Sequence, residues 1–365
     1  IMNVCIIGGG LTSLSLAKIL INKKINVHIY QKKVVNTKSS RTIGVTKKNL
    51  EFLEKEIHKF SKKDIWEIKK IEIFSEKLKN EKILDFESNQ GDLFYMIKNE
   101  QFFKLLNRSL SKSKLFKKTI IKEDNFYEDL LKEKKYNLII NCDSSNLISK
   151  KFFSKKIDKD YNNLAYTTTL EHEKLDNKIA IQIFTKFGPI AFLPISETKT
   201  SVVCSLDIGI KKYNDKEVCD LIKSNNPQFK IKKILKISSF KLKSSRLRNY
   251  YYKNILAFGD LLHKIHPLAG QGFNMTIRDL KIISEIIENK VNLGMQLDAS
   301  ILEEFEKKTK HLNFIFSSGI DFIYEFFNFN KKNQNNGINK ILNYFGKNKI
   351  VNNTIIKLAN NGLNT

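Results

Sequence analysis

The N-terminal stretch of the chain alternates short apolar runs with a glycine-rich turn. The apolar run Val4–Ile7 predicts a buried strand, and the helical spacing of Leu14–Ile21 predicts a helix after the turn. A second strand is predicted at Asn26–Tyr30. A strand, a helix and a further strand in this order indicate an α/β fold built on a parallel sheet.

Further along, strand and helix patterns follow each other in blocks. Alternation or short apolar runs predict the strands Tyr136–Ile140, Ile179–Phe184, Ile190–Leu193, Ser201–Leu206 and Ile255–Phe258. Helical patterns predict helices at Leu280–Ile287, at Ile301–Phe327 and from about Ile338. The middle of the chain is therefore expected to be mainly sheet and its C-terminal part helical.

The first turn, Gly8-Gly9-Gly10-Leu11-Thr12-Ser13, has the dinucleotide-binding spacing G-x-G-x-x-G with Ser13 in the third glycine's place. Gly8 would make the tight turn, Gly10 would leave room for a pyrophosphate, and Ser13 would let the helix pack closely on the strand. A glycine turn with a purely structural role is the alternative.

A second such loop follows the strand at Ile255–Phe258 and precedes a helix expected to start at about Phe273. Free N–H groups at that helix start would suit an anionic or carbonyl-rich ligand. The residues that stand out in the loop are Gly259, Asp260, His263, His266, Pro267, Gly270, Gln271, Gly272 and Asn274.

Together the two loops resemble the flavin-dependent aromatic hydroxylases, and most closely the ubiquinone-biosynthesis hydroxylases. The family's pattern of Gly-Asp, His, Pro, Gly-Gln-Gly and Asn is present in the second loop. Arg41–Val45 is similar to the family's arginine segment, and Gly188–Pro194 is similar to a strand of its substrate-domain sheet. The resemblance covers most of the chain, and the ordered set of motifs is more specific than any one of them.

The resemblance implies a Rossmann-like FAD-binding domain with an inserted β-sheet substrate domain and a helical C-terminus. The FAD-binding domain would be discontinuous and comprise residues 1–72, 97–160 and 245–300. The substrate domain would comprise residues 73–96 and 161–244, and the C-terminal helical region residues 301–365. The substrate pocket would lie between the inserted sheet and the flavin, because ligand sites are common at domain interfaces.

The resemblance also implies FAD as cofactor and NAD(P)H as co-substrate. Pro267 would lie beside the flavin ring, and His263 would hydrogen-bond near the flavin or relay a proton; a histidine bonded only to backbone is the alternative for His263. The residues expected to bind the cofactor are Gly8, Gly10, Ser13, Gln31, Arg41, Asp143, Asp260, Gly270, Gln271, Gly272 and Asn274.

Three positions depart from the family pattern. Gln31 replaces the acidic residue that binds the ribose hydroxyls, so its amide would bond them without charge assistance. Ser144 follows Asp143 where the family has glycine, and Leu261-Leu262 replace two small residues. The leucines would either crowd the cofactor or turn into the core. These departures leave open a diverged enzyme or a protein that has lost FAD binding.

The formal net charge of +26 would ordinarily suggest a nucleic-acid partner. The chain has only five arginines beside its many lysines, and its lysine, asparagine and isoleucine usage is typical of an AT-rich genome. Because no basic stripe with interleaved aromatics occurs, we expect no nucleic-acid partner. Attraction to an anionic membrane surface stays physically plausible. No cysteine or histidine spacing indicates a disulfide or a metal site.

The implied activity is the NAD(P)H- and dioxygen-dependent hydroxylation of a polyprenylated phenol in ubiquinone biosynthesis. The alternatives are an isoprenoid reductase, a hydroxylase of soluble aromatics, and a non-catalytic scaffold subunit of a quinone-biosynthesis complex. No signal peptide and no apolar run of transmembrane length are recognised, so a cytoplasmic protein is expected. The phenylalanines of Ile301–Phe327 would allow peripheral contact with the inner membrane or with such a complex.

Overall fold

The fold is described from a computed structural model, which covers residues 2–32, 42–76, 81–87, 93–123, 125–209, 211–265 and 272–332. Its strands are β1 (Asn3–Ile7), β2 (Asn26–Gln31), β3 (Thr42–Thr46), β4 (Ile65–Ile68), β5 (Lys70–Ser75), β6 (Glu81–Glu87), β7 (Phe94–Lys98), β8 (Phe116–Ile120), β9 (Leu138–Asn141), β10 (Lys156–His172), β11 (Ile179–Thr185), β12 (Gly188–Ser196), β13 (Lys199–Asp207), β14 (Ile231–Ile234), β15 (Ser238–Leu247), β16 (Tyr251–Tyr252), β17 (Ile255–Ala257) and β18 (His263–Lys264). Its helices are α1 (Leu11–Asn22), α2 (Lys47–Glu56), α3 (Asn99–Leu110), α4 (Phe126–Lys132), α5 (Leu147–Phe152), α6 (Asp215–Ser224), α7 (Gly272–Asn292) and α8 (Ala299–Lys332). A short 3-10 turn, Gly259–Leu261, follows β17.

A six-stranded sheet in the order β16-β17-β9-β1-β2-β8 carries the N-terminal turn. All its strands except β16 are parallel, with Cys5 paired to His28 on one side and to Ile139 on the other. Apolar residues of β1, β9, α1 and α7 form the main core, in which Ile6 and Ile140 are fully buried. Because parallel strands end at the same edge, the loops that follow β1, β2, β9 and β17 meet there.

A nine-stranded sheet in the order β18-β15-β10-β13-β12-β11-β5-β6, with β14 beside β10, forms the second layer. Its central strand β12 alternates between its two faces, as expected of a strand that is covered on both sides. Phe192 packs with α6 on one face. On the other, Leu193 packs against Ile68 of β4 and Met96 of β7 in an apolar layer. β4 and β7 belong to a small antiparallel sheet, β3-β7-β4.

The predicted strands and helices that fall in the described residues are present, and the α/β class is confirmed. Some bounds differ: α1 begins at Leu11 rather than Leu14, and β9 begins at Leu138 rather than Tyr136. The helix predicted from Ile338 lies outside the described residues. β10 and β15 run across two of the expected domain boundaries, and the division into domains stays a prediction. In the described part of the chain no helix has the length and apolar character needed to cross a membrane.

Candidate cofactor site

The first glycine turn closes tightly and leaves the start of α1 open. Gly8 has a φ of +114°, and its N–H donates to the Tyr30 carbonyl at 2.7 Å. A Cβ on Gly8 would lie 3.3 Å from the Ser13 Oγ, whereas a Cβ on Gly10 would have no atom of the described residues within 4 Å. No side chain caps α1, and its first turn has no acidic residue. The open N-terminus of α1 therefore fits a phosphate group.

Gln31 lies directly over this turn at the end of β2. Its side chain is buried, and a Cβ on Gly9 would be 1.8 Å from the Gln31 Oε1. Among the described residues that oxygen has no hydrogen-bond partner. A buried acceptor without a partner is costly, and a hydroxyl donor from a ligand would satisfy it. The Gln31 side chain thus lies over the glycine turn, and its contact with ribose hydroxyls stays a prediction.

The loop after β9 is held together by its own side chains. The Asp143 Oδ1 accepts hydrogen bonds from the Ser145 backbone N–H (2.8 Å) and hydroxyl (2.7 Å). The Asn146 side chain caps α5 by accepting from the Ser149 N–H at 2.8 Å. One oxygen of Asp143 is therefore occupied by its own loop. Ser144, where the family has glycine, is exposed and is accommodated in this turn.

Cys142 marks the point where three loops come within electrostatic reach of one another. A Cβ on Gly8 would be 3.4 Å from the Cys142 Cβ. Burial, together with the negative charges of Asp260 and Asp143, raises the pKa of the Cys142 thiol to about 12. The two carboxylates predicted to bind the cofactor thus lie near the glycine turn, in agreement with the shared sheet edge.

The Gly-Asp turn after β17 packs against the start of α1. Gly259 has a φ of +62°, and a Cβ there would be 2.9 Å from the Thr12 Cγ2. Asp260, the next residue, is exposed. Leu261 and Leu262 are buried in the main core. The second of the two alternatives for these leucines is therefore correct: they turn into the core and away from the loop surface that Asp260 occupies.

Asn274, in the first turn of α7, bonds the corner between β3 and α2. Its Oδ1 accepts from the Thr46 N–H at 3.1 Å and from the Asn49 Nδ2 at 2.9 Å, and its Nδ2 donates to the Gly44 carbonyl at 2.9 Å. Gly272 begins α7, whose first turn carries no acidic residue. The helix start can therefore accept a negatively charged or carbonyl-rich ligand, while the Asn274 side chain is engaged by the protein.

His263 is buried and faces α7. Its Nε2 hydrogen-bonds to the Oδ2 of Asp279, a fully buried carboxylate whose other oxygen has no partner among the described residues. Beside it, the Arg278 guanidinium donates to the Asn313 Oδ1 at 2.5 Å, and burial lowers the Arg278 pKa. The partner of His263 is thus a carboxylate and not backbone. Sequence reasoning missed Asp279 as that partner, although Asp279 follows Asn274 on a helix expected to start at about Phe273.

A polar cluster beyond β2 has no signal in the sequence pattern. The His28 Nδ1 and Nε2 bond the Tyr136 hydroxyl (2.9 Å) and the Thr119 hydroxyl (2.8 Å), and the Tyr30 hydroxyl bonds Tyr136 at 2.9 Å. Burial, followed by the charges of Lys117 and Lys135, lowers the His28 pKa to about 4. A cavity of about 330 Å³ is lined in part by Tyr30, Thr119 and Phe126.

Four of the predicted site residues lie outside the described residues. They are Arg41, Pro267, Gly270 and Gln271. The remaining predicted residues fall into two groups. Gly8, Gly10, Ser13, Gln31, Asp143 and Asp260 are at the carboxyl edge of the parallel sheet, and Gly272, Asn274 and His263 are at or beside the start of α7. Their roles toward a cofactor stay predictions.

Known proteins share sequence and fold with this chain. The family model described as squalene epoxidase matches residues 135–364, more than half of the chain. The chain is 25% identical to the mitochondrial ubiquinone biosynthesis monooxygenase COQ6 of Dictyostelium discoideum, with 90% of this chain and 84% of that protein covered. It is 28% identical to the 3-demethoxyubiquinol 3-hydroxylase of Escherichia coli K12 over 41% of this chain, and spans 40% of that relative's length.

Solved structures share the fold at low sequence identity. The p-nitrophenol 4-monooxygenase PnpA of Pseudomonas putida DLL-E4 superposes with a TM-score of 0.77 at 12% identity, with both chains fully covered. A 2-methyl-3-hydroxypyridine-5-carboxylic acid oxygenase gives 0.69 at 13% identity, covering 94% of this chain and 97% of that one. The shared fold and the two loops at one sheet edge agree with the family match, which places this chain in the squalene epoxidase family, among the FAD-dependent aromatic hydroxylases and flavin-dependent monooxygenases.

Proposed function

We propose that this protein hydroxylates the aromatic ring of a polyprenylated phenol in ubiquinone biosynthesis, with FAD, NAD(P)H and dioxygen. The observation that carries the proposal is the meeting of both cofactor loops at one edge, with Gly259 against Thr12. The ubiquinone-biosynthesis names of the relatives support a quinone-type substrate. The apolar layer around Leu193 and Met96 suits a ring with an isoprenoid tail.

The chain's own residues would bind and orient the cofactor. The open start of α1 at Gly10 would take the pyrophosphate, the Gln31 amide would bond ribose hydroxyls, and Asp260 would accept a hydrogen bond from the cofactor's polar middle portion. The uncharged first turn of α7 would favour negative charge at its N-terminus. FAD supplies the redox chemistry when bound, and the apolar layer would keep water from the substrate ring.

The first experiment is an FAD titration of the purified protein, followed by visible absorption. We expect the two-band spectrum of bound oxidised flavin in the wild type and its loss in Asp260→Ala. Glu128→Ala, which removes an exposed carboxylate from α4, is the control and should bind FAD like the wild type. A wild type that takes up no FAD would contradict the proposal and favour the scaffold alternative.

The second experiment identifies the reaction. The loaded protein is given NAD(P)H, dioxygen and either a polyprenylated phenol or 4-hydroxybenzoate, and the products are analysed by mass spectrometry. Addition of one oxygen to the prenylated phenol alone is expected. Oxygen added only to 4-hydroxybenzoate would indicate a soluble-aromatic hydroxylase, and two hydrogens added to the isoprenoid tail would indicate a reductase.

We also propose that α8 contacts a membrane surface where the tailed substrate resides. Phe314 and Ile315 on α8 are 57% and 46% exposed, in a protein with a formal net charge of +26. Exposed aromatic and aliphatic side chains in a cationic protein favour an anionic bilayer. Sedimentation with phosphatidylglycerol vesicles should fall in Phe314→Ser/Ile315→Ser, whereas equal sedimentation of the variant and the wild type would contradict this contact.

A further inference from the structure

We propose that Asn274 is a positioning residue, which holds the corner between β3 and α2 against the first turn of α7. The inference rests on the proposed function, because the cofactor is expected at that helix start. The carboxamide oxygen of Asn274 receives two donors, Thr46 and Asn49, and its nitrogen donates to Gly44. One buried side chain thus bonds strand β3 through Gly44, the N-cap of α2 through Thr46, and α2 itself through Asn49.

The bonded corner has little freedom to shift sideways. Gly44 is paired with Met96 of β7, and a Cβ on Gly44 would be only 3.3 Å from the Phe94 ring. Phe94 and Met96 in turn pack in the apolar layer with Leu193. The Asn274 amide therefore links the start of α7 to the small sheet that lines this layer. The spacing between the proposed flavin edge and the proposed substrate wall depends on that link.

The geometry assigns the side chain to the protein and not to the cofactor. Both lone-pair directions of the Asn274 oxygen are used by Thr46 and Asn49. Removing the amide would leave the Thr46 N–H without this acceptor and the Gly44 carbonyl without this donor. The corner would then loosen while the core of the parallel sheet stays intact, because none of these bonds involves that sheet.

The first test needs no cofactor. Amide hydrogen exchange is measured by NMR at Thr46 in the wild type, in Asn274→Ala and in Asn313→Ala. Asn313 is the matched control, since it is also a buried asparagine on a helix and its Oδ1 accepts from Arg278. We expect exchange at Thr46 to accelerate about tenfold in Asn274→Ala only, as for the loss of one hydrogen bond. Unchanged exchange at Thr46 would overturn the proposal.

The second test measures the FAD dissociation constant by quenching of flavin fluorescence. Asn274→Ala should raise it about tenfold and Asn49→Ala about threefold. The double variant should match Asn274→Ala, because Asn49 acts through Asn274. An equal rise in Asn313→Ala at the same melting temperature, or additive effects of the two variants, would overturn the proposal.

The two tests separate this inference from the proposed function. A wild type that binds no FAD would contradict the proposed function, and the exchange rate at Thr46 would then decide alone whether Asn274 holds the corner. A wild type that binds FAD with an affinity that Asn274→Ala leaves unchanged would keep the proposed function and overturn the positioning role.

Discussion

Gly259 lies against Thr12, so close that a Cβ on the glycine would be 2.9 Å from the threonine Cγ2. The two residues belong to the two glycine loops, which are almost 250 positions apart in the sequence. Gly259 also has a φ of +62°, where a side chain is strained. This contact brings Asp260 beside the open start of α1, and it is the reason that the two loops act as one site.

We expect Gly259→Ala to destabilise the protein and to weaken FAD binding. The left-handed backbone costs about 1–2 kcal/mol for a non-glycine residue, and the contact with Thr12 adds to it. Adding Thr12→Ser to Gly259→Ala should remove the close contact with Cγ2 but not the cost of the left-handed backbone. Gly319→Ala on α8 is the control, since a Cβ there would have no atom of the described residues within 4 Å, and the alanine should stabilise the helix slightly. Equal melting temperatures of Gly259→Ala and wild type would contradict this prediction.

Gln31→Glu should tighten FAD binding about fivefold, because a carboxylate forms charge-assisted bonds to ribose hydroxyls. The same change should lower the melting temperature without FAD, since the side chain is buried over the glycine turn. The rise in melting temperature on adding FAD should therefore be larger in the variant than in the wild type. Gln31→Leu, which removes the acceptor, should weaken binding. Equal affinity in all three proteins would mean that Gln31 does not contact the cofactor.

His263→Ala should reduce stability by about 3–5 kcal/mol, because it leaves the buried Asp279 carboxylate without its partner. His311→Ala, an exposed histidine on α8, is the control and should have almost no effect. Chemical denaturation measures both. A His263→Ala protein of normal stability that binds FAD but forms no product would instead support the predicted role as a proton relay.

Stability should fall as the pH drops from about 6.5 to about 4 because of His28. Its folded pKa is lowered to about 4, so the unfolded chain binds a proton in this range that the folded protein rejects. The contribution is complete above the unfolded pKa and is lost as the pH falls through the folded one. Because the side chain is only half-buried, we expect the melting temperature to fall by only about one or two degrees over this pH range. In His28→Asn the melting temperature should depend less on pH in this range. The same dependence on pH as in the wild type would contradict the prediction.

The local patterns of the sequence determined the strands, the helices and the two glycine loops. Alternation and apolar runs located β11, β12 and β13, because side-chain burial follows the period of the backbone. The Gly8 turn was predictable for the same local reason, since only glycine adopts its φ of +114° without strain. Together with the family resemblance, these patterns were sufficient for the fold class, whereas the cofactor roles of the candidate residues stay predictions.

Tertiary structure alone decided which side chains meet. Leu261 and Leu262 could have faced the cofactor or the core, and packing in the main core settled it. Asp279 bonds His263, and Asn274 bonds Gly44 across 230 positions, pairings that no local pattern encodes. Hydrogen bonds and core packing between distant segments depend on how the sheets and helices are arranged in space, whereas secondary structure depends on neighbours in the chain. The sequence therefore supplied the chemical groups of the site, and the fold supplied their partners.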